Sequence, residues 1–568
     1  MDTALVAALA RELSVPKTFA ALLLQRGIKS RGEAELFFGA TLADLPSPFL
    51  MKGMEQAVKT VAAALEAQKP VVVYGDYDVD GTTGAAILSL FLGAIGFARV
   101  FTCQPLRLEE GYGLHLQAVK RTLQADISGQ APLLITVDCG ISDHEEVRRF
   151  KELGWSVIVS DHHQPPALLP EADAVINPLQ PGCGFPDKNL AGVGVAFYLL
   201  MGIRTHLMGN KYFTERSASP NLKEYLDLVA IGTVGDMVPL TGVNRILVKA
   251  GLEVLGQTKR PGLVELLRIS GVKGGGVTCE DIGYRLGPRI NAAGRLGSAE
   301  RALSLLAGTD PGEAKILAEE LSGKNEQRKL LIDRLFSEAC VAAEEKCRAG
   351  RRGLVLHADD WHAGVIGIGA SRVVERFHRP VLVFARQAGG MVKGSGRSVP
   401  GVNLYAILDK LRELFSHFGG HEAAVGLSLP MENLAELEER FDEAIRAQYS
   451  EEVLAPKIEI AWQDEDDSIG SREFLALHEK LAPFGMGNPE PIFRIEGTLD
   501  EAREVGVNHL KFKMKLNGAN YDGIGFGLGD FLHLAESGQR HAVAFRLRKN
   551  SFRGEQRWQL DAADIRTI

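Results

Sequence analysis

The sequence predicts an α/β protein: a parallel-sheet domain joined by a long helix to a smaller α/β domain, with a β domain at the C-terminal end. Three observations predict it. Between about 55 and 250, short β-branched runs alternate with helical stretches, the pattern of βαβ units whose strands are buried on both faces. From Pro311 to about Gly350 a helical pattern opens on a proline and closes on a glycine, the usual asymmetry of helix ends. Beyond about 455, apolar and polar residues alternate with period two, as in half-buried strands.

A chain of 568 residues exceeds a single core, and its parts follow from these patterns. Residues 1–50 form a helical lead-in ending at "LPSPF", 51–310 the parallel-sheet domain, 311–350 the connector helix, 351–450 the smaller α/β domain and 455–568 the β domain. In the first sheet the expected strands are "VVVYG" (71–75), "LLITVD" (133–138), "SVIVSD" (156–161) and "AVIN" (174–177), with helices at 82–96 and 143–154. The connector is longer than an ordinary globular helix, and Gly323 is where it would break. The second α/β segment has "GLVLH" (353–357) and "PVLVF" (380–384) as strands. In the tail, "HLKFKMKL" puts Leu510, Phe512, Met514 and Leu516 on one strand face and His509, Lys511, Lys513 and Lys515 on the other.

Composition removes several function classes. With 45% hydrophobic and 24% charged residues the chain is globular rather than disordered. No apolar stretch reaches the roughly 18 residues that a membrane span needs, and "MDTALVAALARELSVPK" lacks the layout of a signal peptide. Six cysteines without CxxC spacing point to reduced thiols in a cytoplasm and against a structural zinc site. A net charge of -8 gives no global pull on a polyanion, so any nucleic-acid surface must be local.

The chemistry gathers at strand ends. "VVVYG" runs into Asp76, Asp78 and Asp80, "LLITV" into Asp138, "SVIVS" into Asp161, His162 and His163, and Asp236 follows the apolar stretch of "AIGTVGD". In an open parallel sheet these carboxyl ends share one edge, where ligands bind. One such aspartate by itself is read equally well as the cap of the following helix. Carboxylates gathered this closely repel one another, and divalent cations make the arrangement sensible. Carboxylates with one or two histidines suit two Mn²⁺ or Mg²⁺ ions better than a thiolate zinc site.

"GDYDVDG", "TVDCG", "SDHH" and "GTVGDMVPL" resemble the successive motifs of the DHH phosphoesterase superfamily. "GPRINAAGRLGSAERAL", "DDWHAGVIGIGASRVVERFHRPVLVF", "GSGRSVPGVNLYAIL" and "FGGHEAAVGLSL" narrow the resemblance to the RecJ family of single-strand-specific exonucleases, over nearly the whole chain. The resemblance implies a DHH catalytic domain, a DHHA1 domain and a C-terminal OB-like domain. It places Asp78 and Asp80 as the two aspartates of the first motif, Asp138 as a bridging carboxylate, His162 and His163 as the paired histidines and Asp236 as the fourth acidic motif. Asp161 becomes a partner for an imidazole. Many members carry a histidine where this chain has Tyr74; Asp76 substitutes for that ligand or orients Asp78.

For catalysis the resemblance singles out Asp138, His163 and His421, the last against the scissile phosphate. For substrate it implies that Arg107, Arg289, Asn291 and Arg295 grip the 5′ end. It also implies that "GSGRS", with Ser395, Arg397 and Ser398, offers backbone amides to phosphate. In the tail, Lys511, Lys513 and Arg548 are the expected single-strand contacts. "HAVAFRLRKNSFRGEQRW" interleaves Arg546, Arg548, Lys549, Arg553 and Arg557 with Phe545, Phe552 and Trp558, as in grooves that stack bases. The expected activity is metal-dependent 5′→3′ degradation of single-stranded DNA to 5′-mononucleotides in recombination and repair. The expected partners are single-stranded DNA, a single-strand-binding protein and a helicase, with no membrane and a monomeric enzyme. Two alternatives remain: a small-substrate phosphoesterase (nanoRNase or pyrophosphatase), for which the long connector and OB-like tail have no use, and a non-catalytic replication scaffold of the Cdc45 type, which would have lost metal-site residues that are all present here.

Overall fold

The structure is a computed structural model and describes residues 2–123, 131–213, 218–272, 276–463, 468–516, 519–536, 539–552 and 555–568. The chain divides into two compact units, Pro46–Asp236 with Gly251–Lys457, and Met1–Leu45 with Met237–Ala250 and Ile458–Ile568.

In the larger unit the uninterrupted Val, Ile and Leu runs are satisfied by burial on both faces of a sheet. Val71–Gly75 (β1), Val100–Cys103 (β2), Leu133–Val137 (β3), Ser156–Ser160 (β4) and Ala174–Ile176 (β5) pair in parallel in the order β2-β1-β3-β4-β5. Every residue of β1 and β3 is buried. The register sets Gly75 beside Val137 and Ile135 beside Ile158, so β1, β3 and β4 finish at one edge. The sequence pattern does not announce β2, because this edge strand is mostly half-buried and carries no apolar run. The helix after β1 starts at Val79, three residues earlier than its apolar pattern, because Asp78 caps it.

Pro311–Arg348 is one continuous helix of 38 residues, with Asp310 accepting from the Glu313 N–H at 2.7 Å as its cap. Gly323 does not break it. An exposed glycine costs a helix only about 1 kcal/mol, and this helix is held by packing on both sides of that point. Before it, Ala314, Leu317, Ala318 and Leu321 are buried. After it, Ile332, Leu335, Ala339 and Ala343 join a core with Leu354, Leu356 and Ile366. The second sheet, in the order β6-β7-β8-β10-β9, comprises Leu354–Ala358 (β6), Val381–Arg386 (β7), Met391–Arg397 (β8), His417–Gly420 (β9) and Ala424–Pro430 (β10). Only β6 and β7 pair in parallel there.

The smaller unit is built on a seven-stranded sheet: Trp462–Gln463 (β11), Phe493–Gly497 (β12), Asp500–Val505 (β13), His509–Leu516 (β14), Ala519–Gly525 (β15), His541–Phe552 (β16) and Glu555–Thr567 (β17), in the order β11-β12-β16-β17-β15-β14-β13. On β14, Leu510, Phe512 and Met514 are buried while Lys515 is exposed and Lys511 and Lys513 are half-buried, the alternation of a one-faced strand. Phe545, expected as a stacking ring, is fully buried in this core instead. Arg553 and the side chains of Leu516 and Phe552 lie outside the described residues.

The N-terminal helices contribute to that same core. Phe19 packs edge-on to Phe474 with ring centroids 6.4 Å apart. Arg245 stacks over Phe37 at 3.8 Å and donates to the carbonyls of Phe37, Leu481, Lys480 and Ala482. Nothing in the local pattern of 1–50 or 237–250 signals this sharing, since it joins segments more than two hundred residues apart.

Candidate metal centre and phosphate cleft

Because β1, β3 and β4 are parallel, the residues that follow them meet at one sheet edge. Asp236, which closes the helix Leu226–Gly235, joins them. The side chains form three overlapping groups whose ligand atoms lie within 4.8 Å of one another: Asp76, Asp78 and Asp138; Asp138, His162 and His163; Asp80, His162 and Asp236. His162 Nε2 stands 3.1 Å from Asp138 Oδ1 and 3.6 Å from Asp236 Oδ2.

Local folding explains how so many acids reach one place. Asp78 Oδ1 accepts from the Asp80 and Gly81 N–H groups at 2.9 and 3.1 Å, so this residue is a helix cap that spends one oxygen and keeps the other. Asp80 accepts from the Gly192 and Val193 N–H groups at 2.6 and 2.8 Å, at the positive end of the helix Gly192–Gly209. Asp138 has φ 62°, a left-handed conformation that costs a non-glycine residue about 1 kcal/mol or more. Two hydrogen bonds hold it there: its N–H donates to the Ser160 carbonyl at 3.0 Å, and its carbonyl accepts from the Tyr112 hydroxyl at 3.0 Å. Asp161 accepts from the His162 and His163 N–H groups and lies 2.8 Å from His163 Nδ1.

Tyr74 is no part of this cluster. Its side chain is buried in a core with Val72, Cys103 and Leu114, and its hydroxyl donates to the Gly113 carbonyl at 2.9 Å. Sequence reasoning misses Tyr112, whose hydroxyl lies 3.1 Å from His163 Nδ1, and Gln104, whose Nε2 donates to the Asp76 carbonyl at 2.7 Å. The place of Tyr112 in "EGYG", just after Arg107, is the signal that could have found it.

Asp76 Oδ1, Asp138 Oδ1, His162 Nε2 and Asp236 Oδ2 are buried with no hydrogen-bond partner among the described residues. Folded proteins rarely leave such atoms unpaired. A set of carboxylate oxygens with imidazole nitrogens fits divalent cations of the Mn²⁺ or Mg²⁺ kind. The protonation states carry the same strain. Burial, then the Asp78 charge, pushes Asp80 up to about 7; burial, then Asp80, pushes Asp236 up to about 9. Asp76 and Asp138 are raised well above the ordinary range by burial and by neighbouring carboxylates. Burial drives His162 down to about 4, which leaves the neutral ring that ligates metals. For His163 burial works downward, but the hydrogen bond and charge of Asp161 outweigh it and the ring is raised.

These shifts set a pH dependence. Carboxyls that ordinarily titrate at 3.8 hold protons more tightly in the folded chain. Their contribution to stability is complete below that value and is lost as pH rises through about 7 for Asp80 and about 9 for Asp236. The metal-free protein should therefore melt at progressively lower temperature from pH 5 to pH 9, and Mn²⁺ should raise the melting temperature more at pH 9 than at pH 5. A thermal-melt series with and without Mn²⁺ checks this; a metal effect independent of pH would contradict it.

Three family models match the chain: the DHH family, N-terminal domain, over 70–233, the DHHA1 domain over 350–447 and the RecJ OB domain over 467–564. The Single-stranded-DNA-specific exonuclease RecJ of Salmonella typhimurium is 39% identical over 97% of this chain and 96% of its own length. The chain belongs to the RecJ family. The family member of Bacillus subtilis is 36% identical over 98% of this chain and 69% of its own length. The crystal structure of RecJ in complex with Mn²⁺ from Thermus thermophilus superposes with a TM-score of 0.81 at 32% identity, covering 100% of this chain and 78% of that one. The corresponding complex with Mg²⁺ gives 0.76 at 30% identity, over 100% and 77%.

Beside the metal centre of this RecJ-family chain lies a group of arginines. Arg107 sits over the Tyr77 ring at 4.7 Å. Burial, then Arg107, depresses Arg397; burial, then Arg107 and Arg328, depresses Arg295 to about 9. Guanidiniums that repel one another in a half-buried cleft attract phosphate. The expectation of free amides in "GSGRS" fails. β8 is paired on both sides, which commits the amides of Ser395 and Arg397 to the ladder. The Ser398 N–H donates to the Ala423 carbonyl at 3.0 Å and its hydroxyl to the Val402 carbonyl at 2.8 Å. What this strand presents is side chains: Arg397 Nη1 donates to Ser395 Oγ at 3.0 Å. Arg289 donates to the Arg285 carbonyl at 2.7 Å, and Asn291 Oδ1 is buried without a partner. His421 is exposed on the turn between β9 and β10 and makes no side-chain hydrogen bond or ion pair among the described residues.

In the tail, Lys513 pairs with Glu501 at 2.7 Å, and Arg548 with Asp561 at 3.1 Å and Glu490 at 3.3 Å. Lys549 pairs with Glu479 and lies 5.4 Å from the Trp558 ring centre. Lys511 is half-buried and makes no ion pair among the described residues. The exposed Lys513 and Lys549 pairs are worth at most about 1 kcal/mol each, so they yield to a phosphate backbone at little cost, whereas Arg548 is held by carboxylates that are only 13% and 18% exposed.

Proposed function

We propose that this chain is a divalent-metal-dependent exonuclease that removes nucleotides from the 5′ end of single-stranded DNA. The observation that carries the reading is the meeting of Asp76, Asp78, Asp80, Asp138, His162, His163 and Asp236 at one sheet edge, with buried oxygen and nitrogen atoms that nothing among the described residues satisfies. These residues would hold two cations, Asp138 being shared. Such ions supply a hydroxide nucleophile near neutral pH and neutralise phosphoryl oxygens. Asp161 and Tyr112 fix the His163 ring. Arg107, Ser395 and Arg397 hold the 5′-terminal phosphate, Arg289, Asn291 and Arg295 extend the grip, and His421 reaches the scissile phosphate. Cutting the bond between the 3′ oxygen and phosphorus releases a 5′-mononucleotide and leaves a new 5′ phosphate on the strand. That phosphate can enter the same arginine pocket, which favours successive cuts.

The tail strand β14, with Lys511 and Lys513, and Arg548 on β16 would track the strand electrostatically. Among the described residues no helix is long and apolar enough to cross a membrane. Among the described residues none of the six cysteines forms a disulfide, which fits a cytoplasmic enzyme in recombination and repair. Duplex must be opened before a single-strand enzyme can act, so a helicase and a single-strand-binding protein are its natural partners, and the chain would work as a monomer.

The test is digestion of 5′-labelled and 3′-labelled single strands with Mn²⁺, Mg²⁺ or EDTA. Label should leave the 5′-labelled strand as mononucleotide at once, and EDTA should stop the reaction. Blunt duplex should be cut far more slowly, because unpairing costs about 1.4 kcal/mol per step. Release from the 3′ end first, or equal rates on duplex and single strand, would reject the reading.

A further inference from the structure

The connector helix carries a polar cluster that faces the helix Gly287–Arg295, against which it packs. Four polar atoms there are buried with no hydrogen-bond partner among the described residues: Asn291 Oδ1, Arg295 Nε, Asn325 Oδ1 and Arg328 Nε. Asn325 is 1% exposed. Neither Asn325 nor Arg328 makes a side-chain hydrogen bond or ion pair among the described residues. The charges acting on Arg328 are Arg372, Arg289 and one acid, Glu326. Arg372 is already paired with Asp333, and Glu326 with Lys329. In a half-buried site an Arg328 N–H left without an acceptor and an Asn325 Oδ1 left without a donor cost free energy unless something completes them. Guanidinium N–H groups donate to a phosphate oxygen, and a carboxamide does so through its Nδ2 group.

A second observation sets where that phosphate lies. Arg107 lies over the Tyr77 ring at 4.7 Å, a Cβ at Gly294 would stand 2.9 Å from the Tyr77 carbonyl oxygen, and the next residue, Arg295, donates to the Gly364 carbonyl at 3.3 Å. On the same helix Arg289 Nε donates to Ser322 Oγ of the connector at 3.4 Å, three residues before Asn325. The mutual repulsion of Arg107 with Arg397 and of Arg295 with Arg107 and Arg328 agrees with these contacts, so the four cations neighbour one another beside the metal centre. We propose that Asn325 and Arg328 form a separate phosphodiester subsite, which grips the strand on the 3′ side of the bond being cut, opposite the pocket for the 5′-terminal phosphate. The proposal rests on the exonuclease reading above. It makes Arg328 a substrate-binding residue and turns the connector helix from a spacer into one wall of the strand's path.

A 5′-phosphorylated dinucleotide carries a terminal and a scissile phosphate, and a trinucleotide adds the phosphate assigned to Arg328. The experiment compares kcat/KM on di-, tri- and tetranucleotides in Mn²⁺ for the full chain, Arg328→Gln and Arg328→Lys. For Arg328→Gln the ratio of trinucleotide to dinucleotide efficiency should fall about tenfold or more, with partial recovery in Arg328→Lys, which keeps the charge but not the two-pronged geometry. Oligonucleotide affinity should also lose about 0.7 from its salt slope, the share of one phosphate on a single strand. Asn325→Ser, which replaces the carboxamide with a shorter hydroxyl, should move the same ratio. An unchanged ratio in both Arg328→Gln and Asn325→Ser would overturn the subsite. Should the unmodified chain fail to cut single strands from the 5′ end, the exonuclease reading fails first and the subsite falls with it.

Discussion

Asp138→Asn should lower single-strand hydrolysis by about a thousandfold while leaving the fold intact. Asp138 is the carboxylate shared between two of the ligand groups. Asparagine keeps its shape and removes the charge that offsets the cations, an effect worth several kcal/mol at the transition state, where about 4 kcal/mol is a thousandfold in rate. Position 138 has φ 62°, and asparagine is among the residues that adopt that conformation most readily. The backbone bonds to Ser160 and Tyr112 are untouched. Removing one of several buried like charges should leave the metal-free melting temperature no lower than that of the unmodified chain. Steady-state rates and melts of both proteins check this. If the variant retained a tenth of the original turnover, Asp138 would not be a shared ligand.

Gly81→Ala should cost about a hundredfold in kcat/KM although it removes no ligand. A Cβ at Gly81 would stand 2.5 Å from the Asp76 nitrogen, 2.6 Å from its carbonyl oxygen and 2.8 Å from its carbonyl carbon. These are backbone atoms between β1 and the helix Val79–Ala94, so either the aspartate loop or the helix start must move. A shift of about 1 Å at reacting groups costs on the order of a hundredfold. The metal concentration for half-maximal activity should rise as well, because Asp76 and Asp78 move together. Gly93 provides the control in the same helix: nothing lies within 4 Å of a Cβ there, and Gly93→Ala should preserve activity and stabilise the helix by up to about 1 kcal/mol. Equal behaviour of the two variants would show that the aspartate loop has room to spare.

How much of this is legible in the sequence depends on whether the signal is local. The strands β1, β3 and β4 are, because burial on both faces demands uninterrupted apolar runs, and their acids then converge by topology alone. Asp78 shows why a single residue cannot be assigned from pattern: it is a helix cap and a member of the metal cluster at once. The failure at "GSGRS" has the opposite cause. The segment expected to offer free amides sits in a central strand of a sheet, where Gly394 and Gly396 abut Phe384 and Leu382. The sharing of one core by the N-terminal helices, Met237–Ala250 and the tail is invisible to any window of sequence. It also means that cutting the chain near 455 would uncover Phe19 and its neighbours rather than release an independent tail. Arg328 and Asn325 sit at ordinary polar positions of a long amphipathic pattern, and only their burial without partners sets them apart.

One sheet edge should hold two divalent cations through a shared carboxylate. Titration of the metal-free full chain with Mn²⁺, followed by electron paramagnetic resonance alongside the rate of 5′-mononucleotide release, tests it most directly. The expected result is two ions per chain, magnetically coupled through the shared ligand, with activity appearing as the second site fills and the coupling lost in Asp138→Asn. Full activity with a single bound ion, or two uncoupled ions whose binding is indifferent to Asp138→Asn, would contradict it.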